Sequence, residues 1–336
     1  MITPEFLQLL RCPQSGQQLV LESSTVNSSP EGEIESGWLV SEDGNYRYPI
    51  KNNIPRFVPE NNYADNFGMQ WNHFAKTQLD SHSGHPISSE RFWNATGWQS
   101  KDLCGKWVLD VGCGSGRFAE IALSTGANVV ALDYSSAVDA CYSNLKKHPN
   151  LHIVQGDIYA LPFALETFSF VYSLGVLQHT PDVEKAFNSL PPMLKDGGRL
   201  CVDYYEKSAM SRFFPKYWLR PLTKRLPKKK LFTTLQLLVP IMLPISRLTS
   251  SIPVLGKYLK RLIPVANLDG IAPLDKQQQI EWSLLDTFDW FSPAYDNPQT
   301  AETARTWLER AMLKEIEVKK AGHLVGRGIK RDDLNK

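Results

Sequence analysis

Between residues 106 and 205 the chain alternates short apolar runs with longer stretches in which apolar positions recur every three or four residues. The runs are Trp107–Val111, Val129–Leu132, His152–Val154, Phe168–Tyr172 and Arg199–Tyr204. Their alternation with helical segments predicts βαβ units, and hence a parallel sheet with helices on both faces. The same periodicity returns near the end, with a helix expected over Ala301–Leu313 and strands over Glu315–Lys319 and Leu324–Lys330. Five strands, an interruption, a helix and a terminal strand pair predict an α/β fold: a doubly wound, seven-stranded, mostly parallel sheet.

The rest of the pattern divides the chain further. Residues 1–60 read as a short helix (Pro4 to Leu10) and several short strands, with a polar loop from Ser23 to Ser36: a small β-rich module. Residues 61–105 form an arm or cap that is aromatic-rich and irregular, with Phe67, Trp71, Phe74, Phe92, Trp93 and Trp98. Residues 106–205 and 300–336 make the core, and residues 206–299 a helical insertion after the fifth strand. Pro215, Pro221, Pro227, Pro240 and Pro244 are expected to divide that insertion into short helices. Its longest uncharged run, Leu231 to Ser246, falls short of the roughly 20 apolar residues a membrane-spanning helix needs.

With 42% hydrophobic and 21% charged residues, the composition is that of a protein able to bury a full core. The net charge of +2 points to no partner, but its distribution does: Glu206 to Val265 holds thirteen Lys or Arg and one acid. The five cysteines are scattered without a CxxC pair, which argues against a disulfide framework and suits a reducing cytoplasm. No signal peptide is expected at Met1 to Arg11, which lacks a basic segment followed by a long apolar one.

The densest chemical signal is Asp110-Val111-Gly112-Cys113-Gly114-Ser115-Gly116, where the first strand runs into a glycine turn and then a helix. Glycines there allow positive φ and close approach of the backbone to a ligand, and the carboxyl ends of the strands are where open α/β sheets bind ligands. The GxGxG spacing differs from the GxGxxG that favours a dinucleotide pyrophosphate. Asp133 ends the second strand, 23 residues after Asp110, where an acid can accept hydrogen bonds from ribose hydroxyls. Asp157 and Ile158 end the third, and Ser173 to His179 follow the fourth.

These segments, in this order, resemble the class I methyltransferases that use S-adenosylmethionine (SAM), especially the small-molecule branch that includes quinone-biosynthesis enzymes. The resemblance covers roughly residues 105–205 and the last 35. It implies a Rossmann-like fold with SAM held by Asp110, Gly112, Gly114, Gly116, Asp133, Tyr134, Asp157, Ile158 and Ser173. Gln70 and Trp71 are expected to cap the pocket from the aromatic arm. Leu9 to Ser15 and Tyr48 to Pro55 resemble a zinc-ribbon module found in activators of tRNA and protein methyltransferases. Ser15, Ser41 and Gly44 stand where three of its thiolates should be, so no metal is expected.

Transfer to a hydroxyl needs a base, and His179, beside the methyl-donor end of the pocket, is the candidate, with Tyr204 as a positioning group. Tyr205, next to it at the end of the fifth strand, is an equal candidate for positioning; Asp286, Asp289 and Tyr295 are candidates to line the acceptor cleft, and His73 and His323 are weaker ones. The expected function is methyl transfer to a small-molecule or lipid- or glycan-linked acceptor, at oxygen. RNA methylation and a non-catalytic adaptor are the alternatives. Fourth-strand Ser173 to Val176 lacks the Asn/Asp-Pro-Pro-Tyr type of motif, which argues against nucleic acid. The cationic and aromatic residues Lys207 to Lys230 suit a solvated lid, a surface for an anionic membrane or lipid-linked acceptor, or an RNA contact.

Overall fold

The computed structural model describes residues 2–28, 34–59, 62–207, 214–253, 255–259, 262–268, 270 and 273–332. Arg212 and Phe213, which belong to the basic and aromatic pattern of the insertion, lie outside these residues.

The central sheet has seven strands: β1 (Trp107–Val111), β2 (Asn128–Asp133), β3 (Leu151–Gln155), β4 (Phe168–Ser173), β5 (Leu194–Tyr204), β6 (Leu313–Ala321) and β7 (His323–Lys330). Their spatial order is β6-β7-β5-β4-β1-β2-β3. β1 to β5 pair in parallel, whereas β7 inserts antiparallel between β5 and β6. Strand order reverses beside β1, so the glycine turn opens at the crevice where such sheets bind ligands.

Period-two alternation sorts the apolar side chains. Leu109, Val111, Val130, Leu132, Val171, Leu200, Val202 and Tyr204 face one side of the sheet, packing with Phe187 and with Trp307 of the helix Ala301–Arg310. Val108, Val129, Ala131, Phe170, Tyr172 and Cys201 face the other, against Phe92 and Phe118. Because both faces are covered, the strands are apolar throughout, and this is what made them legible.

The N-terminal module is an antiparallel sheet of Leu19–Leu21, Ile34–Ser41, Arg47–Lys51 and Ile54–Pro55, with Asn27–Ser28 pairing Ile34–Ser41. Of the expected polar loop, residues 29–33 are not described, and the parts on either side are a 3-10 turn and strand edges. The module is welded to the core. Phe57 donates its N–H to the Gln155 carbonyl (2.8 Å), and Arg56 bonds Gln155 (2.8 Å) and Asp139 (2.6 Å), covering the open edge of β3. Phe6 stacks on His152 at 4.6 Å. Where the ribbon-like module would hold metal, the Cys12 sulfur lies 3.3 Å from the Tyr48 hydroxyl and accepts the Ser15 N–H (3.4 Å).

Two expectations need correction. The aromatic arm is helical rather than irregular, with α1 at Asp65–His73 and α2 at Ile87–Thr96. Its periodicity was hidden because the residues α1 buries are Asn66, Gly68 and Gln70. Nor do the prolines of the insertion cut it into short helices. After α3 (Pro215–Thr223) comes α4 (Lys228–Ser250), which runs unbroken for 23 residues with Pro240 and Pro244 inside it. Both prolines point away from the core, and so do residues 236 and 240, whose carbonyls lose their helical donors. α4 is thus long and apolar enough to cross a membrane by length and composition. Its inner face packs on α5 (Lys276–Phe291), building a separate small core around Leu235, Val239, Leu243, Leu285 and Phe288.

Because Phe6 is fully buried in the core cluster that also holds β1 and β2, Phe6→Ala is expected to cost about 3–5 kcal/mol. Denaturant unfolding should lose that stability in one transition; separate module and core transitions would contradict the shared core.

Candidate active site

A cavity of about 1040 Å³ opens over the carboxyl ends of β1, β2 and β4, walled by α1, α2 and the insertion. Its floor is the glycine turn. Gly112 has φ +86°, and a Cβ added there would lie 2.4 Å from Val176. Gly114 has φ +53°, and its Cβ would press on the Trp71 ring at 3.2 Å. The turn is fixed by Asp133, whose carboxylate accepts the Gly114 N–H (3.0 Å) and both the N–H and the hydroxyl of Ser135 (2.8 and 2.7 Å).

Gly112, Gly114, Asp133, Tyr134, Ile158, Gln70, Trp71 and His179 all line this cavity. Five expected contacts do not. Asp110 is buried beneath the turn beside the Tyr172 hydroxyl, and burial pushes its carboxyl up to about 8. Gly116 starts the helix Arg117–Ser124 with φ +94° and packs against Leu145 and Cys141. Asp157 accepts the Tyr159 N–H (2.9 Å), capping a turn. Ser173 donates to the Val111 carbonyl (2.8 Å) inside the sheet. Tyr204 is a correction. It is fully buried on the opposite face, 5.9 Å from the Trp307 ring, because strand alternation turns it there and leaves Tyr205 on the cavity side.

Polar groups converge on the far end. His179 Nδ1 lies 3.1 Å from the Tyr295 carbonyl. A carbonyl only accepts, so Nδ1 carries a proton and Nε2 is the ring nitrogen left free to accept one. That nitrogen is buried without a hydrogen-bond partner, 4.0 Å from Asp289. Tyr205 donates its hydroxyl to the same carboxylate (2.9 Å); burial and the Asp289 charge hold the phenol well above its ordinary value. Lys216 sits 4.5 Å over the Tyr205 ring and pairs with Asp296 at 2.8 Å. His323, also in the wall, is held neutral, its pKa pushed down to about 4 by burial and by Arg91.

Arg91 and Arg117 escaped the sequence reading. Arg91 pairs with Asp203 (2.9 Å), and Asp203 also accepts the Gly175 N–H, tying α2 to the loop before His179. Arg117 bonds Ser88 (2.8 Å) and Gln78 (2.9 Å), and burial, helped by Arg91, lowers it to about 9. Arg117 directly follows the glycine turn, a signal that was available; Arg91 had none. Asp286, near Arg117, is raised to about 7 by burial and by Asp289.

Comparison with known proteins agrees with this geometry. A family model described as a methyltransferase domain matches residues 109–202. Residues 109–202 are a methyltransferase domain. It is of the SAM-dependent kind, with SAM as methyl donor. A sterol 24-C-methyltransferase of Pneumocystis carinii is 37% identical over 99 residues, covering 28% of this chain and 26% of that protein. A ubiquinone biosynthesis O-methyltransferase of Coxiella burnetii is 32% identical over 121 residues, covering 35% and 50%. The matched stretches thus span between a quarter and a half of these relatives. A solved structure of a candidate SAM-dependent methyltransferase from Methanococcus maripaludis overlaps 82% of this chain and 97% of its own, with TM-score 0.43 and 16% identity.

The methyltransferase domain's cavity fits SAM on its own evidence. Both amide atoms of Gln70 are buried without a partner in the wall, the glycine cradle would be filled by any Cβ, and Asp133 offers an acceptor for ribose hydroxyls. Tyr134, Ile158, Arg91 and Arg117 also line the cavity, where the first two would offer surface to an adenine and the two guanidiniums would suit a carboxylate.

Gly114→Arg is expected to abolish SAM binding, and Asp133→Ala to weaken it about tenfold or more, as a lost hydrogen bond to a charged group costs about 1.5–3 kcal/mol. Unchanged calorimetric affinity in both would sink the site. Because the folded pKa of Asp110 is raised, the native state holds its proton longer than the unfolded chain, so stability falls as pH rises from about 4 to about 8. Asp110→Asn should lose less stability than wild type across that window in thermal melts.

Proposed function

We propose that this protein transfers a methyl group from SAM to a hydroxyl of a small or lipid-linked acceptor, with His179 as general base. One observation carries the reading: the Tyr295 carbonyl fixes the His179 tautomer, leaving an unpartnered Nε2 in the cavity wall. Bound SAM supplies the electrophilic methyl.

The chain's own residues do the rest. Nε2 takes the proton of the acceptor hydroxyl, and the Asp289 carboxylate, 4.0 Å away, stabilises the imidazolium that results. The Tyr205 hydroxyl holds Asp289 in place. Phe67, Tyr217, Trp282 and Trp290 line the cavity and offer aromatic surface to the acceptor body, and apolar walls there limit the water around the reacting atoms. Lys216 and Tyr217 come from α3, so the insertion builds part of the acceptor wall. An oxygen acceptor accords with the ubiquinone O-methyltransferase relative; the sterol relative methylates carbon.

Labelled methyl from SAM, incubated with fractionated lysate, is expected to enter lipid or small molecules. Label only in RNA or protein would overturn the acceptor class. With an acceptor in hand, His179→Ala should lower kcat by about 10²–10⁴-fold while SAM affinity holds. An unchanged kcat would remove His179 from the reaction.

A further inference from the structure

The insertion has two faces, and the cavity uses only one. Of 17 large apolar side chains exposed among the described residues, 12 lie between Trp218 and Leu262. They form a surface rather than a scatter. On α4, Leu237, Ile241, Ile245 and Leu248 follow one another at helical spacing and are 70%, 62%, 50% and 73% exposed. Leu231, Leu235, Val239 and Leu243 form the buried stripe. Val239 and Ile241 are two residues apart, which places them about 200° apart around the helix. On α3 the same division holds, with Lys216 and Tyr217 in the cavity wall and Leu219 and Leu222 exposed.

The charge around this surface has one sign. From Lys207 to Leu268 the chain contains no Asp or Glu and thirteen Lys or Arg. Lys224, Arg225, Lys229 and Lys230 cluster at the start of α4, exposed and without an ion pair among the described residues. An apolar face of this size beside unneutralised cations is complementary to the acyl and headgroup layers of an anionic membrane.

We propose that the outer face of α3 and α4 docks this protein onto an anionic phospholipid bilayer, with α4 lying in the interface. Although α4 is long enough to span, its inner stripe is committed to α5. Spanning would carry Gln277, Gln278, Gln279 and Glu281 of α5 toward hydrocarbon, where their polar groups have no water. Docked flat, the chain keeps that packing and buries only the exposed stripe. The α3 residues that wall the acceptor end of the cavity then sit beside the membrane surface.

Sedimentation of the full chain with vesicles tests this, using phosphatidylcholine alone and phosphatidylcholine mixed with phosphatidylserine. Binding is expected to the mixed vesicles and to weaken as salt rises from about 0.1 M to about 1 M, where the Debye length shrinks from about 10 Å to about 3 Å. Replacing Lys224, Arg225, Lys229 and Lys230 with Gln should lower the partition coefficient about fivefold per charge. Leu237→Ser, Ile241→Ser and Ile245→Ser together should abolish it. Both variants should retain wild-type melting and SAM affinity, because none of these residues lines the cavity. No binding to mixed vesicles at low salt overturns the proposal, as does equal binding by both variants. A solution dimer that the serine variant dissociates, with no vesicle binding, would assign the face to a second copy instead. Vesicle binding requires no turnover, so its outcome is separate from that of the methyl-transfer assay.

Discussion

The hydrogen bond from the Gly114 N–H to the Asp133 carboxylate joins the ends of two neighbouring parallel strands and shapes everything above them. It holds the glycine turn against the sheet, so that α1 can lay Trp71 across it at near-contact distance. It also fixes the carboxylate that faces the cavity. Asp133 is mostly buried, and burial pushes its pKa upward against the hydrogen bonds from Ser135 and Gly114 that favour the charge. The site therefore rests on a carboxylate whose ionisation depends on keeping those donors in place.

A second constraint is the polarity of the cap. In a helix packed only for stability, the buried face would be apolar. α1 instead turns Asn66, Gly68 and Gln70 inward. Asn66 reaches Ser292, and Gly68 lets the helix approach Ser136 so closely that a Cβ would overlap its hydroxyl. Of the residues α1 turns inward, Gln70 has no partner for either amide atom. Buried polar groups left unpaired cost stability, and here the unpaired one stands in the wall of the cavity.

The insertion couples the two ends of the molecule's chemistry. Arg220 is buried, with its guanidinium on the carbonyls of Trp290 and Pro293, and Asp296 holds Lys216. These bonds pin α3 to the loop that carries Tyr295, whose carbonyl sets the His179 tautomer. The helix that bears exposed leucines outward thus reaches the proposed base through a short series of bonds and contacts.

The sequence by itself determined the sheet. β1 to β5 are apolar on both faces, the glycines of the turn need positive φ, and Asp133 ends its strand; each is a local property that survives without knowledge of the neighbours. The resemblance to class I methyltransferases grouped Gly112, Gly114, Tyr134, Ile158, Gln70, Trp71 and His179, and these residues line one cavity. What only the tertiary structure decided depends on facing. Tyr204 and Tyr205 are indistinguishable in composition, and the strand's alternation put one in the core and the other beside His179. The helical character of α1 was invisible because the residues it buries are Asn66, Gly68 and Gln70. The unbroken α4 was unexpected because Pro240 and Pro244 each remove an i→i−4 hydrogen bond; both lie on the exposed face, where water can reach the freed carbonyls. Arg91 entered the cavity wall through pairing with Asp203, 112 positions away, a contact for which no local pattern exists.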